Sequence, residues 1–121
     1  MISIVDDDPV VREATANLLR SLGLASAKFS SAEDFLSQDG VVDGTTCLIS
    51  DVRLPGLSGI DLQTRLRAEG KTTPVIFITA FPDEPLRRRA LAGGAIAFFG
   101  KPYDADSLID CLDKALPGQL A

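Results

Sequence analysis

Asp6, Asp7 and Asp8 stand in a row after an apolar run, Asp51 ends a second such run, Thr79 ends a third, and Lys101 follows a fourth. Carboxylates brought close together repel one another, and a hard divalent cation is the usual remedy. Mg²⁺ suits such a set, because it accepts a few carboxylates, keeps waters and binds substrate phosphate. A lysine aimed at the same space adds a point charge, and a threonine adds a hydroxyl donor. Together these groups fit a phosphoryl group, whose spreading negative charge each cation stabilises. A carboxylate can itself act as the nucleophile, giving an aspartyl phosphate.

Residues so far apart in the chain meet only if the fold collects them. The run Ile2 to Val5 is uninterrupted enough to be a strand covered on both faces. Asp8-Pro9 reads as an N-cap followed by proline at the first helical position. Val11, Ala14, Leu18 and Leu22 then recur at helical spacing until Gly23. A weaker strand spans Ala25 to Phe29, and Ser30 with Glu33 forms a capping box for a short helix through Leu36. A loop from Gln38 to Gly44 leads to the strand Cys47 to Asp51. The turn Leu54 to Gly59 opens a helix carrying Leu62 and Leu66, which Gly70 ends. The strand Val75 to Thr79 precedes a helix with Leu86, Ala90 and Leu91, broken at Gly93-Gly94. Last come a strand from Ala95 to Phe99 and a helix with Leu108, Ile109, Leu112 and Leu116. Five strands alternating with five helices imply a doubly wound α/β domain with a parallel sheet. In such sheets ligands bind beyond the carboxyl ends of the strands, which is where the chemistry-bearing residues stand.

Composition narrows the function classes. The chain has 121 residues, of which 45% are hydrophobic and 24% charged, the balance of one ordinary globular domain. Its 17 acidic and 12 basic residues give a net charge of −5, which disfavours a bare nucleic-acid-binding surface. No apolar run approaches the roughly 20 residues of a membrane span. The first residues, Met1 to Val5, do not read as a secretory signal, so a cytoplasmic setting is expected, with Cys47 and Cys111 as reduced packing thiols. With no histidine, a His-based triad and a His-ligated metal site are excluded.

Val5-Asp6-Asp7, Ile49-Ser50-Asp51 followed by Leu54-Pro55-Gly56-Leu57-Ser58-Gly59, Thr79-Ala80 and Lys101-Pro102 resemble the receiver domain of two-component response regulators. The likeness covers nearly the whole chain in the family's order, with 28 residues from Asp51 to Thr79 and 22 from there to Lys101. It is greatest to receivers joined to a helix-turn-helix DNA-binding domain. The resemblance implies a flavodoxin-like sheet of order 2-1-3-4-5, a receiver domain over residues 1–116, and a tail or linker start at 117–121. It implies Asp51 as phosphoacceptor, with Lys101 and Thr79 as its catalytic companions. Mg²⁺ would be held by Asp7, Asp51 and the backbone carbonyl of Arg53 directly, and by Asp6 through a water. Thr79 and Phe98 would be the switch pair, and the Lys101-Pro102 bond would be cis, as is usual in the family. Asp8 remains better read as a helix cap than as a ligand.

The resemblance further implies a signalling switch rather than a turnover enzyme. A sensor histidine kinase would be its phosphodonor. The surface of the fourth helix, fifth strand and fifth helix would be read by an output domain or partner, in transcriptional control, or by a second copy. Arg87-Arg88-Arg89 lie in that fourth helix; a solvated face is the default, and Asp104, Asp106 or Asp110 of a second chain are the other possible partners. Two residues depart from common family choices. Arg53 puts a long cation two residues after Asp51, and Phe81 puts a bulky ring two after Thr79, a pair expected to hinder attacking water. Pro82 and Pro85 bracket the following loop, restricting its backbone, or Pro85 simply begins the next helix. Two other function classes use many of the same residues. A receiver-like interaction module would never be phosphorylated, and a haloacid-dehalogenase-type phosphatase would use Asp6 as nucleophile and leave Asp51 idle.

Overall fold

Every residue of the strands β1 (Ile2–Val5), β3 (Cys47–Asp51) and β4 (Val75–Thr79) is buried, as continuous apolar runs in a parallel sheet require. The computed structural model describes residues 1–120; Ala121, the end of the expected tail, lies outside them. Two shorter strands, β2 (Ser26–Phe29) and β5 (Ala97–Gly100), form the edges, and the sheet is wholly parallel in the order β2-β1-β3-β4-β5. This is the architecture and strand order expected.

Alternate residues of each strand feed two separate cores. Ile2, Ile4, Cys47, Ile49, Ile76 and Ile78 face one way. There they meet Leu19 of α1 (Pro9–Ser21) and Leu108 and Leu112 of α6 (Ala105–Ala115). Val5, Leu48, Val75 and Phe77 face the other way. They pack on α2 (Ala32–Ser37), α4 (Gly59–Ala68) and α5 (Glu84–Ala92), through Phe35, Leu62, Leu66 and Ala90. Fully burying one such aliphatic or aromatic side chain contributes about 1.5–3 kcal/mol, so the layers are held chiefly by this period-2 division.

Among the described residues the helices number six rather than the expected five. Within the expected loop Gln38 to Gly44, Gly40 adopts φ +78° and turns the chain into one helical turn, α3 (Val41–Gly44). Val41 and Val42 then pack against the core, a tertiary contact without a local signal. The cap of α2 is Ser31, whose Oγ accepts from the Asp34 N–H at 3.0 Å; Ser30 does not cap it. The carboxylate of Glu33 is engaged elsewhere, as described below. β5 begins two residues later than expected, and β2 one residue later.

α5 is anchored differently from its neighbours. Ala90 is its one buried residue. Its C-terminal end is gripped instead by polar side chains of α4. Buried Gln63 donates Nε2 to the Ala90 carbonyl at 2.9 Å, and Arg67 donates Nε to the Gly93 carbonyl at 3.1 Å. Among the described residues no helix is long and apolar enough to cross a membrane.

Cys47 is fully enclosed, and burial pushes its thiol up to about 12. At pH 8 about one Cys47 in 10⁴ would then be thiolate, the reactive form. Cys111 is only half-buried. Titration of the native protein with Ellman's reagent should therefore show Cys111 reacting first and Cys47 only as fast as the chain unfolds. Two thiols reacting at equal rates would contradict this packing.

Candidate functional site

The order of the sheet reverses at β1, so the chain leaves β1 and β3 toward opposite sides and opens a crevice at their carboxyl ends. Val5 pairs with Ser50 in the register, which sets Asp6 and Asp51 beside one another as the next residues. The three consecutive acids then divide the work. Asp6 turns inward, 4% exposed, and its Oδ1 accepts the Asp8 N–H at 2.9 Å. Asp8 caps α1 by accepting the Val10 N–H at 2.9 Å, with Pro9 at the start of the helix, as expected. Asp7 stays exposed, and no ion pair among the described residues includes it. Asp6, Asp7 and Asp51 each offer a carboxylate oxygen, all within 4.8 Å of one another.

Lys101 enters this cluster from the end of β5. Its Nζ lies 2.7 Å from Asp51 Oδ2 and 3.1 Å from Asp6 Oδ2, with the three side chains 14%, 6% and 5% exposed. The main chain fixes its place, since the Lys101 N–H donates to the Thr79 carbonyl at 2.8 Å, and the Lys101-Pro102 bond is cis. Burial pushes the Asp6 carboxyl above its ordinary 3.8, against the opposing pull of the Asp8 amide and Lys101. Burial also presses on the Lys101 ammonium, but its hydrogen bonds to Asp51 and Asp6 outweigh it and hold the group above the ordinary 10.5. The signs differ in consequence. Ionising Asp6 as pH rises past 3.8 costs folding stability, because the unfolded chain ionises it more readily. Charged Lys101 adds stability that is complete below 10.5 and is lost as pH rises from there through its own raised value.

The loop after β3 holds Asp51 still. The Arg53 N–H donates to Asp51 Oδ1 at 3.1 Å. Gly56 has φ +76°, and a side chain there would collide with the Glu33 carboxylate, which accepts the Leu57 N–H at 3.1 Å. Gly59 passes so close to the Asp51 carbonyl that a methyl would overlap it. Ser58 and Asp61 form a reciprocal capping box that starts α4.

Thr79, fully buried, ends the neighbouring strand, and its Oγ1 accepts the Phe81 N–H at 3.4 Å. Phe98 and Phe99 face opposite cores, Phe98 toward the layer that contains α5. Arg53 and Phe81 meet, with the guanidinium 5.6 Å from the ring centroid, although Phe81 is 66% exposed. Arg53 also lies 4.0 Å from Asp83 Oδ2, while Oδ1 of Asp83 caps α5 by accepting the Leu86 N–H at 2.8 Å. Pro85 sits in the first turn of α5, the simpler of its two expected roles. Glu84 lies within reach of both Arg87 and Arg88.

The fold thus gathers Asp6, Asp7, Asp51 and Lys101, ties the Arg53 amide to Asp51, and sets Thr79 at the next strand end. Two residues that spacing did not single out also hold the site. Arg12 donates Nη1 to the Asp6 carbonyl at 2.7 Å, and Glu33 braces the loop beyond Asp51. Arg12 follows Asp6 by six residues, but only the entry angle of α1 brings its guanidinium back to the Asp6 carbonyl. Three carboxylates against one ammonium leave negative charge uncompensated. The donors are all hard oxygens, one of them exposed, a set that fits a small divalent cation.

Comparison with known proteins agrees over the whole domain. The profile of the response regulator receiver domain family matches residues 2–113. Nodulation protein W of Bradyrhizobium diazoefficiens is 44% identical over 95% of this chain and 50% of its own length. Response regulator protein TmoT of Ectopseudomonas mendocina is 44% identical over 96% and 52%. The solved response regulator StyR superposes with a TM-score of 0.87 at 41% identity, over 98% of this chain and 59% of that one. The solved FixJ-N structure superposes with a TM-score of 0.83 at 31% identity, over 99% and 95%. The chain spans about half the length of the curated relatives it matches.

Removing Lys101 would leave Asp6 and Asp51 facing each other without a counter-ion. Lys101→Met should lower the unfolding free energy by about 2 kcal/mol in metal-free buffer at neutral pH, between the surface and fully buried limits for ion pairs. Urea unfolding followed by circular dichroism measures it. A variant as stable as the parent would mean that the pair merely offsets its own desolvation.

Proposed function

Because this chain belongs to the response regulator receiver domain family, we propose that it is a phosphorylation-driven switch whose acceptor is Asp51. With the family shown, the haloacid-dehalogenase-type alternative falls away. The observation that carries the reading is the contact of Lys101 Nζ with Asp51 Oδ2 at 2.7 Å, inside a cluster of three carboxylates.

An oxygen of the Asp51 carboxylate attacks the phosphorus of a phosphohistidine on a sensor kinase. The phosphorus–nitrogen bond breaks and its electron pair goes to the ring nitrogen; the proton on the other ring nitrogen stays in place, so the leaving group is a neutral imidazole. Asp51 is held for this by the Arg53 N–H on one oxygen and Lys101 on the other. Lys101 then follows the new phosphoryl oxygens, so charge is compensated before and after transfer. Asp7, Asp51 and the Arg53 carbonyl would hold Mg²⁺, with Asp6 reaching it through a water. When bound, the ion supplies further neutralisation of phosphoryl charge.

The buried Thr79 hydroxyl turns to a phosphoryl oxygen and gives up the Phe81 amide, the β4–α5 loop follows, and Phe98 moves inward. The modification shifts a two-state equilibrium only by its differential contacts with the two states. The surface that changes is α5, β5 and α6, read by an output domain, a protein partner or a second copy. A transcriptional output, a cytoplasmic setting and a boundary near residue 116 go with this reading. Support for that output comes from relatives named as response regulators or transcriptional regulatory proteins. Arg53 stacked over Phe81 roofs the approach to Asp51 and slows the water that would hydrolyse the acyl phosphate.

Intact-mass spectrometry after incubation with acetyl phosphate tests the acceptor. One added phosphoryl group is expected with Mg²⁺ and none without it, and none in Asp51→Asn. An adduct that persists in Asp51→Asn would move the nucleophile to Asp6. No adduct on the parent protein would favour the unphosphorylated interaction module. For the roof, Arg53→Asn combined with Phe81→Asn should speed loss of the phosphoryl group several-fold. An unchanged dephosphorylation rate would end that idea.

A further inference from the structure

Thr15 lies on α1, 1% exposed, and its hydroxyl bonds to a group outside its own helix. A threonine inside a helix ordinarily returns its hydroxyl to the carbonyl four residues back. Thr64 of α4 does so, donating to the Ile60 carbonyl at 3.0 Å. Thr15 instead meets the hydroxyl of Tyr103 at 2.9 Å, across 88 residues of sequence. Tyr103 is the single tyrosine of the chain and stands two residues beyond Lys101.

The segment from Lys101 to Asp104 is pinned at successive points. The Lys101 N–H is held by the Thr79 carbonyl, and Asp104 caps α6 by accepting the Ser107 N–H at 3.3 Å. Between those points the tie is the Tyr103 hydroxyl on Thr15. Around it, α1 and this segment wall a groove of about 330 Å³ lined by Val10, Val11, Ala14, Lys101, Pro102 and Tyr103. Its apolar walls supply little directional restraint of their own. One turn before Thr15, on the same face of α1, Arg12 holds the Asp6 carbonyl. α1 therefore holds both residues that flank the Asp51 carboxylate, Asp6 through Arg12 and Lys101 through Tyr103.

We infer that Thr15, acting through the Tyr103 hydroxyl, is a positioning residue that sets where Lys101 meets the phosphoryl group. The inference rests on Asp51 as acceptor for its catalytic consequence. A cation aimed at a developing charge acts only from the right place, and small misplacements cost rate.

The test uses Thr15→Val and Tyr103→Phe, which delete the hydrogen bond from either side with little change of shape, their double variant, and Thr15→Ser, which keeps a hydroxyl. Two quantities are read: amide hydrogen exchange at Lys101 without any phosphodonor, and the rate of phosphorylation by acetyl phosphate with Mg²⁺. In Thr15→Val the Lys101 amide should exchange about fivefold faster and phosphorylation should slow by about fivefold. Tyr103→Phe should match it, the double variant should be no worse than either single one, and Thr15→Ser should return both readings to within about twofold of the parent. Unchanged exchange in Thr15→Val, single effects that multiply in the double variant, or Thr15→Ser behaving as Thr15→Val would each overturn the inference. If the parent takes no phosphoryl group, the acceptor reading fails, while exchange alone still decides whether Thr15 positions Lys101.

Discussion

The ion pair between Lys101 and Asp51, shared with Asp6, is the constraint on which the rest of the arrangement depends. It joins the ends of β1, β3 and β5, three strands that are not all neighbours, over the carboxyl edge of the sheet. Two buried carboxylates without that cation would be driven apart or forced to take up protons. With it they remain close and still carry more negative than positive charge. The site therefore holds together in the fold, and its residual negative charge suits a further cation.

Much of this was legible in the residues themselves. The runs at β1, β3 and β4 are buried on both faces, so they announce themselves as continuous apolar segments, and the polar residues ending them fell at one edge once the sheet was taken as parallel. Asp8 as a cap and Gly23 and Gly70 as helix stops are local signals that the fold keeps. What escaped reading was set by tertiary contact. α3 exists because Val41 and Val42 find a core to cover. The cap of α2 lies one residue later than expected because Ser31 and Asp34, an equally local pair, form it, while the Glu33 carboxylate accepts the Leu57 N–H. Arg12, Thr15 and Tyr103 read as ordinary helix and loop residues until the entry angle of α1 is known.

The division of the strands into two cores also separates tasks. The layer with α1 and α6 contains the groups that grip Asp6 and Lys101, whereas the other contains Phe98, α4 and α5. In the proposed switch, the acceptor site would be held on one side of the sheet while the opposite side rearranges. Side chains on successive strand positions belong to different layers, so Phe98 can shift without disturbing the packing of Phe99.

The uneven anchoring of α5 gives that helix the mechanics of a lever. Its C-terminal end is clamped by Gln63 and Arg67, and burial along its length rests on Ala90. Its N-terminal end is tied to the body through Asp83 and the guanidinium of Arg53, an exposed contact of 4.0 Å. A helix fixed at its far end and lightly moored at its near end turns about the fixed end. In the proposed switch a small displacement beside Asp51 would become rotation of that charged face, with Ala90 near the fixed end and Leu86 the side chain that slides on the core beneath.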